Sequence, residues 1–350
     1  MEHPAAKATL PLPHPTEVAS RVEPGRAILV GIGDCLPRRI VTNDELATRV
    51  DTSDAWIRER TGIRQRRIAE GPEETCTAMA IRAAQAALAD ATAHGCPVTG
   101  SEVDAVLVAT TTPDQAFPST ATRVQAAVGA GGFAFDLTAA CSGFIYALSM
   151  AEALILVGKA RCVLVIGSEV YSRILNWQDR TTCVLFGDGA GAVLLRAGSG
   201  VGAGARGVLS THLHSDGRLG DALYVDGAVG RPDRPGTLVM NGREVFRHAV
   251  THLSEAVNEA LATHGLTAAD IDWLVPHQAN ARIIDGVARR LGLPPEKVMM
   301  TVDRHANTSA ASIPLALAEG WREGRIRPGQ LVLMEALGGG LTWGSALVRL

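Results

Sequence analysis

The stretch FAFDLTAACSGFIYALSMAEALILVGKA, from Phe133 to Ala160, decides how this chain folds. Its first residues are apolar and predict a buried strand, whereas its later residues form a long apolar pattern without proline that predicts a helix. Cys141 stands where the strand gives way to the helix. A thiol there lies at the positive end of the helix dipole and beside free backbone N–H groups, which favours the thiolate and any neighbouring oxyanion. The alternative is an inert core thiol, because free cysteine is often buried.

Length and composition describe an ordinary globular protein. With 350 residues the chain can form one large or two medium domains, and its formal net charge of -3 gives no reason to expect nucleic acid as a partner. Six cysteines are scattered without a CxxC pair or clustered histidines, which argues against a metal site and a disulfide framework and favours a reducing, cytoplasmic location. No run approaches the ~18 apolar residues that span a bilayer, so we expect no membrane association.

The order of the predicted elements suggests a short tail followed by two similar halves. Residues 1–26 are rich in Pro and Ala without the apolar segment of a signal peptide, and they predict a flexible N-terminal tail. The halves, 27–200 and 201–350, share similar strings: VDAVLVATTT resembles IDWLVPHQAN, and TCVLFGDGAGAVLL resembles LVLMEALGGGLTWGSALV. Each half predicts an α/β sheet with helices, and two stacked halves give a layered αβαβα sandwich. We also expect a hairpin at Gly187–Gly189 and a surface loop over residues 215–236.

Three polar residues fall at equivalent strand–helix joints of the two halves. They are Cys141 in AACSGF, His277 in VPHQAN and Asn307 in HANTSAA. Ligands of α/β sheets bind at such strand ends. Each residue also has a structural interpretation: a lone histidine after an apolar strand is often structural, and Asn307 could cap a helix over 310–319. His305 competes with Asn307 as a candidate functional residue, and we interpret it as a structural neighbour.

These motifs resemble the thiolase-fold condensing enzymes, most closely the β-ketoacyl-acyl-carrier-protein synthase III family. The likeness runs from about Ile28 to Leu350 and includes DTSDAWIRERTGI, AFPST, AACSGF, FGDGAGA, LVPHQAN, HANTSAAS and EALGGGLTWGSA. It implies the initiating condensation of type II fatty-acid synthesis, in which an acyl group from acyl-CoA, acetyl by default, joins malonyl-acyl carrier protein with loss of carbon dioxide. It implies no metal and no redox cofactor.

The resemblance also implies a role for each polar residue. Cys141 would carry the acyl group, and His277 and Asn307 would each donate a hydrogen bond to the enolate oxygen that decarboxylation leaves. The backbone N–H groups of Cys141 and Gly339 would hold the oxyanion of the tetrahedral intermediate. Coenzyme A would contact Thr52, Trp56, Arg60, Arg180, Met240, Gly242, Phe246, Ala249 and Asn280.

Partner contacts follow from the same resemblance. Phe117 matches a residue that reaches across a homodimer interface to the partner's acyl pocket. A basic patch that could dock an acidic acyl carrier protein, or could be an ordinary solvated face, comprises Arg247, Arg282, Arg289 and Arg290.

Three positions depart from the family pattern. Leu337 lies in the expected acyl pocket where phenylalanine is usual, Arg243 replaces asparagine, and Ala306 replaces glycine, so the sequence does not fix the length of the acyl group. A related starter-unit ketosynthase or acyltransferase of polyketide or specialised metabolism is therefore an alternative. A degradative thiolase is disfavoured because that class uses a second cysteine near the C-terminus, whereas the last cysteine here is Cys183. An elongating synthase is disfavoured because Asn307 stands where a second histidine is expected. A non-catalytic scaffold is disfavoured because all three polar groups are kept.

Overall fold

The computed structural model describes residues 25–199, 205–227, 233–234 and 236–350. Of the predicted tail, residues 1–24 lie outside the described residues, whereas Gly25 and Arg26 already belong to the first strand. The predicted boundary between 200 and 201 also lies outside them and stays a prediction.

The first half contains a five-stranded sheet, a two-stranded ribbon and five helices within its described residues. Its elements are β1 (Gly25–Cys35), β2 (Arg39–Thr42), α1 (Asn43–Ala47), α2 (Asp54–Thr61), β3 (Gln65–Ile68), α3 (Cys76–Ala93), β4 (Ala105–Ala109), α4 (Thr120–Val128), β5 (Phe133–Leu137), α5 (Gly143–Leu156), β6 (Cys162–Val170) and β7 (Asp188–Ser199). The predicted strand and helix on either side of Cys141 are β5 and α5.

The second half contains a four-stranded sheet and a second ribbon. Its described elements are β8 (Gly207–Ser215), β9 (Leu223–Val225), β10 (Leu238–Met240), α6 (Gly242–Thr263), β11 (Trp273–Pro276), α7 (Ala281–Leu291), α8 (Val302–His305), α9 (Ser312–Arg322), β12 (Leu331–Gly338) and β13 (Thr342–Arg349). The helix α6 carries an apolar stripe that includes Leu253, Val257 and Leu261, and this stripe is buried.

The two sheets repeat one topology, which confirms the predicted duplication of the fold. The first sheet has the order β1-β7-β6-β4-β5 and the second has β8-β13-β12-β11. In each sheet the first two pairings are antiparallel and the third is parallel. Val298 forms a parallel bridge to Leu274 on β11, at the place that β5 occupies beside β4 in the first sheet.

The sheets stack as the expected αβαβα sandwich. Helices α5 and α9 contact strands of both sheets and form the central layer, α3 and α4 cover the first sheet, and α6 packs on the second. A single buried cluster joins residues of both sheets to α5 and α9. This layering brings the carboxyl ends of β4, β6, β11 and β12 towards one region between the halves, where functional groups are expected.

Two local expectations were wrong. The segment before Gly187 forms turns and one bridge, Phe186 to Asn307, so residues 188–199 supply one strand of a sheet and no hairpin. The expected loop over residues 215–236 contains a 3-10 turn and the strand β9, which pairs with β10. In the described part of the chain no helix is both long enough and apolar enough to cross a membrane.

Candidate active site

Cys141 lies in a 3-10 turn, Ala140–Ser142, that leads directly into α5. The turn begins with Ala140 at φ +45°, a left-handed conformation that alanine rarely adopts. Thr342 on β13 holds the turn from the other half, because its hydroxyl lies 2.8 Å from that of Ser142 and 3.0 Å from the carbonyl oxygen of Ala139. The position of the thiol therefore depends on contacts between the two halves.

The Gly-rich bend after β12 approaches Cys141 more closely than a side chain would allow. A Cβ atom on Gly338 would lie 2.5 Å from the backbone nitrogen of Cys141 and 3.1 Å from that of Ser142. Within the described chain the N–H groups of Cys141 and Gly339 donate to no backbone carbonyl. Both donors expected for the oxyanion are thus free of backbone acceptors.

Burial decides the protonation state of the thiol at rest. The Cys141 side chain is almost completely buried, and this desolvation raises the pKa of the thiol to about 12 although the hydroxyls of Ser309 and Tyr171 lower it. Removing the charge from water thus opposes the effect of the helix start, which by itself favours the thiolate. The thiol must lose its proton during the reaction.

His277 is held as a neutral hydrogen-bond donor. Its Nδ1 lies 2.6 Å from the hydroxyl oxygen of Ser312, and that oxygen also accepts a bond from the N–H of Gln278 at 3.3 Å. We assign the Ser312 hydrogen to Nδ1 on this basis, and that assignment puts the ring proton on Nε2. Burial lowers the pKa of His277 to about 3, so the imidazole stays neutral at physiological pH.

Asn307 is oriented by its own turn. Its side-chain oxygen accepts a 2.9 Å bond from the N–H of Ser309, so the amide NH₂ group is the free end of the side chain. The helix α9 begins only at Ser312 and is preceded by Ala311, so Asn307 does not cap it. His305 pairs with Glu319 at 3.3 Å and does not line the cavity described next.

Cys141, His277 and Asn307 line one cavity of about 850 Å³. The first comes from one half of the chain and the other two from the second half, so the sequence-predicted trio meets at the junction. Leu337, expected in the acyl pocket, also lines this cavity. The same is true of seven residues expected to contact coenzyme A: Trp56, Arg60, Met240, Gly242, Phe246, Ala249 and Asn280.

A cluster of cationic and aromatic groups lies at Trp56. The guanidinium carbons of Arg60 and Arg180 lie 4.6 and 5.2 Å from the centroid of its ring. Arg180 does not line the cavity itself but is fixed by two bonds to Asp51. The buried hydroxyl of Thr52, expected to bind coenzyme A, has no partner in the structure.

The remaining predicted residues lie outside the cavity or on its rim. Gly339 lines a neighbouring cavity of about 490 Å³ together with Ala140. The Phe117 side chain is 85% exposed on the loop before α4. Arg282 lines the main cavity, and Arg247, Arg289 and Arg290 are exposed on α6 and α7.

Several residues of the site were missed at the level of sequence. Tyr171, Leu223 and Tyr224 each line both cavities. Tyr224 belongs to the segment that was expected to be a surface loop. Glu169 and Ser309 form a buried network behind Cys141. The only signal for Tyr224 in the sequence was that it is an aromatic residue in a segment otherwise rich in Gly and Asp.

Comparison with known proteins identifies the family. The model of "3-Oxoacyl-[acyl-carrier-protein (ACP)] synthase III C terminal" matches residues 261–350, and that of "3-Oxoacyl-[acyl-carrier-protein (ACP)] synthase III" matches residues 135–217. A β-ketoacyl-[acyl-carrier-protein] synthase III of Acidiphilium cryptum is 68% identical over 325 residues, which cover 93% of this chain and 99% of the relative. The chain belongs to the 3-oxoacyl-[acyl-carrier-protein] synthase III family.

Solved structures agree with this assignment. The synthase III of Aquifex aeolicus is 46% identical with a TM-score of 0.85, covering 93% of this chain and all of that one. The priming β-ketosynthase of the R1128 polyketide pathway is 37% identical with a TM-score of 0.87, covering 95% and 98%. The synthase III family member described here is thus a thiolase-fold ketosynthase, an acyltransferase that performs the initiating condensation of fatty-acid synthesis.

Proposed function

We propose that the enzyme takes an acyl group, by default acetyl, from acyl-CoA onto Cys141 and condenses it with malonyl-acyl carrier protein. The products are 3-ketoacyl-acyl carrier protein, coenzyme A and carbon dioxide. The observation that carries the proposal is the meeting of Cys141, His277 and Asn307 in one cavity. The proposed reaction needs no metal or cofactor, because acyl-CoA is a substrate and every step is an addition, an elimination or a decarboxylation.

In the loading step the sulfur of Cys141 attacks the thioester carbonyl. A carbon–sulfur bond forms to Cys141, and the bond to the coenzyme A sulfur then breaks. The N–H groups of Cys141 and Gly339 are proposed to hold the intermediate's oxyanion, since neither has a backbone acceptor.

In the condensation step the malonyl carboxylate leaves as carbon dioxide, and its bonding electrons pass into an enolate. Nε2–H of His277 and the amide of Asn307 are proposed to donate to the enolate oxygen. The neutral state and the fixed tautomer of His277 support this role, because a neutral donor stabilises the enolate without protonating it. The enolate carbon then attacks the acyl-cysteine, the carbon–sulfur bond to Cys141 breaks, and the released thiolate takes up one proton from water to restore the thiol.

Coenzyme A is proposed to enter past Trp56, Arg60 and Arg180. Arginines suit phosphate groups, and an indole suits a purine. The side chains of Arg247, Arg282, Arg289 and Arg290 are exposed, so their positive charges are accessible to an acidic carrier protein.

A homodimer is part of the proposal. β5 is an edge strand of its sheet, and no described strand pairs with its outer side. Phe133 on this strand and the 85% exposed Phe117 present apolar surface beside that edge. A second copy would pair the edges and cover both side chains. A cytoplasmic location is proposed as well, and the six free cysteines support it.

The starter-unit ketosynthase of a polyketide pathway is a second candidate. The 37% identity to the R1128 priming ketosynthase is lower than the 46% and 68% identities to synthases III, so the observation that favours this candidate is Leu337 in the cavity. A panel of acyl-CoA primers of different length, each assayed with malonyl-acyl carrier protein, separates the two. Preference for acetyl-CoA supports fatty-acid initiation, and preference for a longer primer supports the alternative.

Two variants test the proposed roles together. Cys141→Ser should form no acyl-enzyme detectable by intact-mass spectrometry and no ketoacyl product. His277→Ala should still load the acyl group onto Cys141 but should lose condensation. Undiminished product formation by Cys141→Ser would exclude the proposed nucleophile.

A further inference from the structure

A buried carboxyl group lies behind the nucleophile and has no part in the mechanism above. Glu169, at the end of β6, is fully buried. Its Oε2 accepts bonds from the Thr112 hydroxyl at 2.5 Å and the Thr111 N–H at 3.1 Å, and the Thr110 hydroxyl lies at 3.3 Å. Its Oε1 accepts from the Ser309 hydroxyl at 3.1 Å. These donors carry no charge, so no cation fixes the group as a carboxylate.

Ser309 connects this carboxyl group to the thiol. Its hydroxyl lies 3.1 Å from Glu169 and 3.0 Å from the hydroxyl of Tyr171. The turn that carries Ser309 packs against the turn that carries Cys141, and the hydroxyls of Ser309 and Tyr171 lower the pKa of the Cys141 thiol. A hydroxyl has one hydrogen and two acceptor lone pairs. While Ser309 donates its hydrogen to Glu169, its lone pairs stay available to accept the hydrogen of the neighbouring Cys141 thiol.

The backbone of Ser309 gives an independent indication that this hydroxyl is used. Ser309 has φ +49°, a conformation that glycine adopts freely and serine adopts only at a cost in free energy. Its N–H bond to Asn307 would be kept by glycine, so the serine is not needed for that bond. What serine provides at this strained position and glycine would not is the hydroxyl group, which donates to Glu169.

We propose that Glu169 is a positioning residue that accepts, through Ser309, the proton that Cys141 loses when it takes up the acyl group. The inference rests on the proposed function of Cys141. As the sulfur bonds to the acyl carbon, its proton passes to Ser309, and the Ser309 proton passes to Glu169. When the bond to coenzyme A breaks, the same path in reverse returns one proton to the departing thiolate. The enzyme therefore neither gains nor loses a proton in the loading step.

The titration of Glu169 matches this task. Burial raises its pKa to about 7, against hydrogen bonds that lower it. The other ionisable groups near it are Cys141, Tyr171 and Cys76 on α3, with Asp188 on the neighbouring strand β7. The Arg173–Asp114 ion pair lies beyond Cys76, whose backbone N–H donates to Asp114. The pKa values of the Cys141 and Cys76 thiols are raised to about 12, and that of Tyr171 is also raised, so these groups stay protonated near neutral pH. The carboxylate that can accept a proton becomes more populated as the pH rises through about 7.

The test is the rate of acyl loading in a single turnover, followed by rapid quench and intact-mass spectrometry over a range of pH. The wild-type rate should rise with an inflection near pH 7, the pKa of Glu169. Glu169→Gln should load about 100-fold more slowly at alkaline pH and show no inflection. Glu169→Asp should recover part of the rate and the inflection. The matched control is Glu152→Gln on α5, another carboxyl whose pKa burial raises, and its profile should equal that of the wild type.

A second variant decides the question if Glu169→Gln does not fold. Ser309→Gly removes the hydroxyl and suits the positive φ, and it should also lose the inflection. A Glu169→Gln or Ser309→Gly enzyme that keeps the wild-type rate and inflection would overturn the proposal. Failure of the wild type to take up any acyl group would instead overturn the proposed function, so the two failures are distinct.

Discussion

A methyl group at Gly338 tests how closely the two halves must meet at Cys141, the proposed nucleophile. In Gly338→Ala the new Cβ would lie 2.5 Å from the Cys141 nitrogen, and ordinary contact begins at 3.4 Å. The gap must therefore open by about 0.9 Å (3.4 minus 2.5). Because the atom it meets is backbone, the turn that carries the thiol and one oxyanion donor must move. A displacement of about 1 Å at a reacting group lowers rates by about 100-fold.

The assay is single-turnover loading of Cys141 from acetyl-CoA by quench and intact mass, with circular dichroism to verify folding. Gly217→Ala is the matched control, because a Cβ at Gly217 meets no atom within 4 Å. We expect a loading rate about 100-fold lower for Gly338→Ala and an unchanged rate for the control. A folded Gly338→Ala enzyme that loads within about threefold of the wild type would refute the argument that this approach sets the site.

Three further predictions concern the supports of the site. Ser312→Ala should lower condensation about 10- to 100-fold while acyl loading changes little, because His277 loses the bond that fixes its tautomer; equal losses in both steps would contradict this. Ala306→Gly should stabilise the protein by about 1 kcal/mol in urea unfolding, because φ +58° strains alanine; a destabilised variant would count against strain there. Burial raises the pKa of Glu335 from 4.5 to about 8, so wild-type stability should fall as the pH rises between those values. Glu335→Gln should remove most of that fall in the free energy of unfolding, which amounts to about 1.4 kcal/mol per unit of pKa difference. If the stability of Glu335→Gln kept the same pH dependence, a group other than Glu335 would be its cause.

The duplicated architecture and the meeting of Cys141, His277 and Asn307 in one cavity could be predicted because both leave local signals. Strand–joint–helix strings recur in each half, and each joint carries a polar residue where the strand ends. Since the two sheets repeat one topology, joints far apart in sequence meet in one cavity. The joints therefore pointed to Cys141, His277 and Asn307, and the family resemblance supplied the role expected of each.

The groups that support the trio could not be predicted, because their partners are distant in sequence. Glu169 ends a strand in which the residues around it are buried, and only the fold brings Ser309, 140 positions away, to its carboxyl group. In the sequence Ser312 looks like an ordinary serine at the start of a helix, and only the structure shows its hydrogen bond to His277. The helix start that favours the thiolate of Cys141 is a local feature, but the desolvation that raises the pKa of this thiol depends on packing from distant parts of the chain.

The central claim is that one sulfur, facing an imidazole and a carboxamide from the other half, carries the acyl group. The most direct measurement is peptide mapping by mass spectrometry after incubation with acetyl-CoA alone, followed by a chase with malonyl-acyl carrier protein. We expect one acetyl group on the peptide that contains Cys141, and its loss during the chase as ketoacyl product forms. An acetyl group on another residue, or none, would contradict the claim.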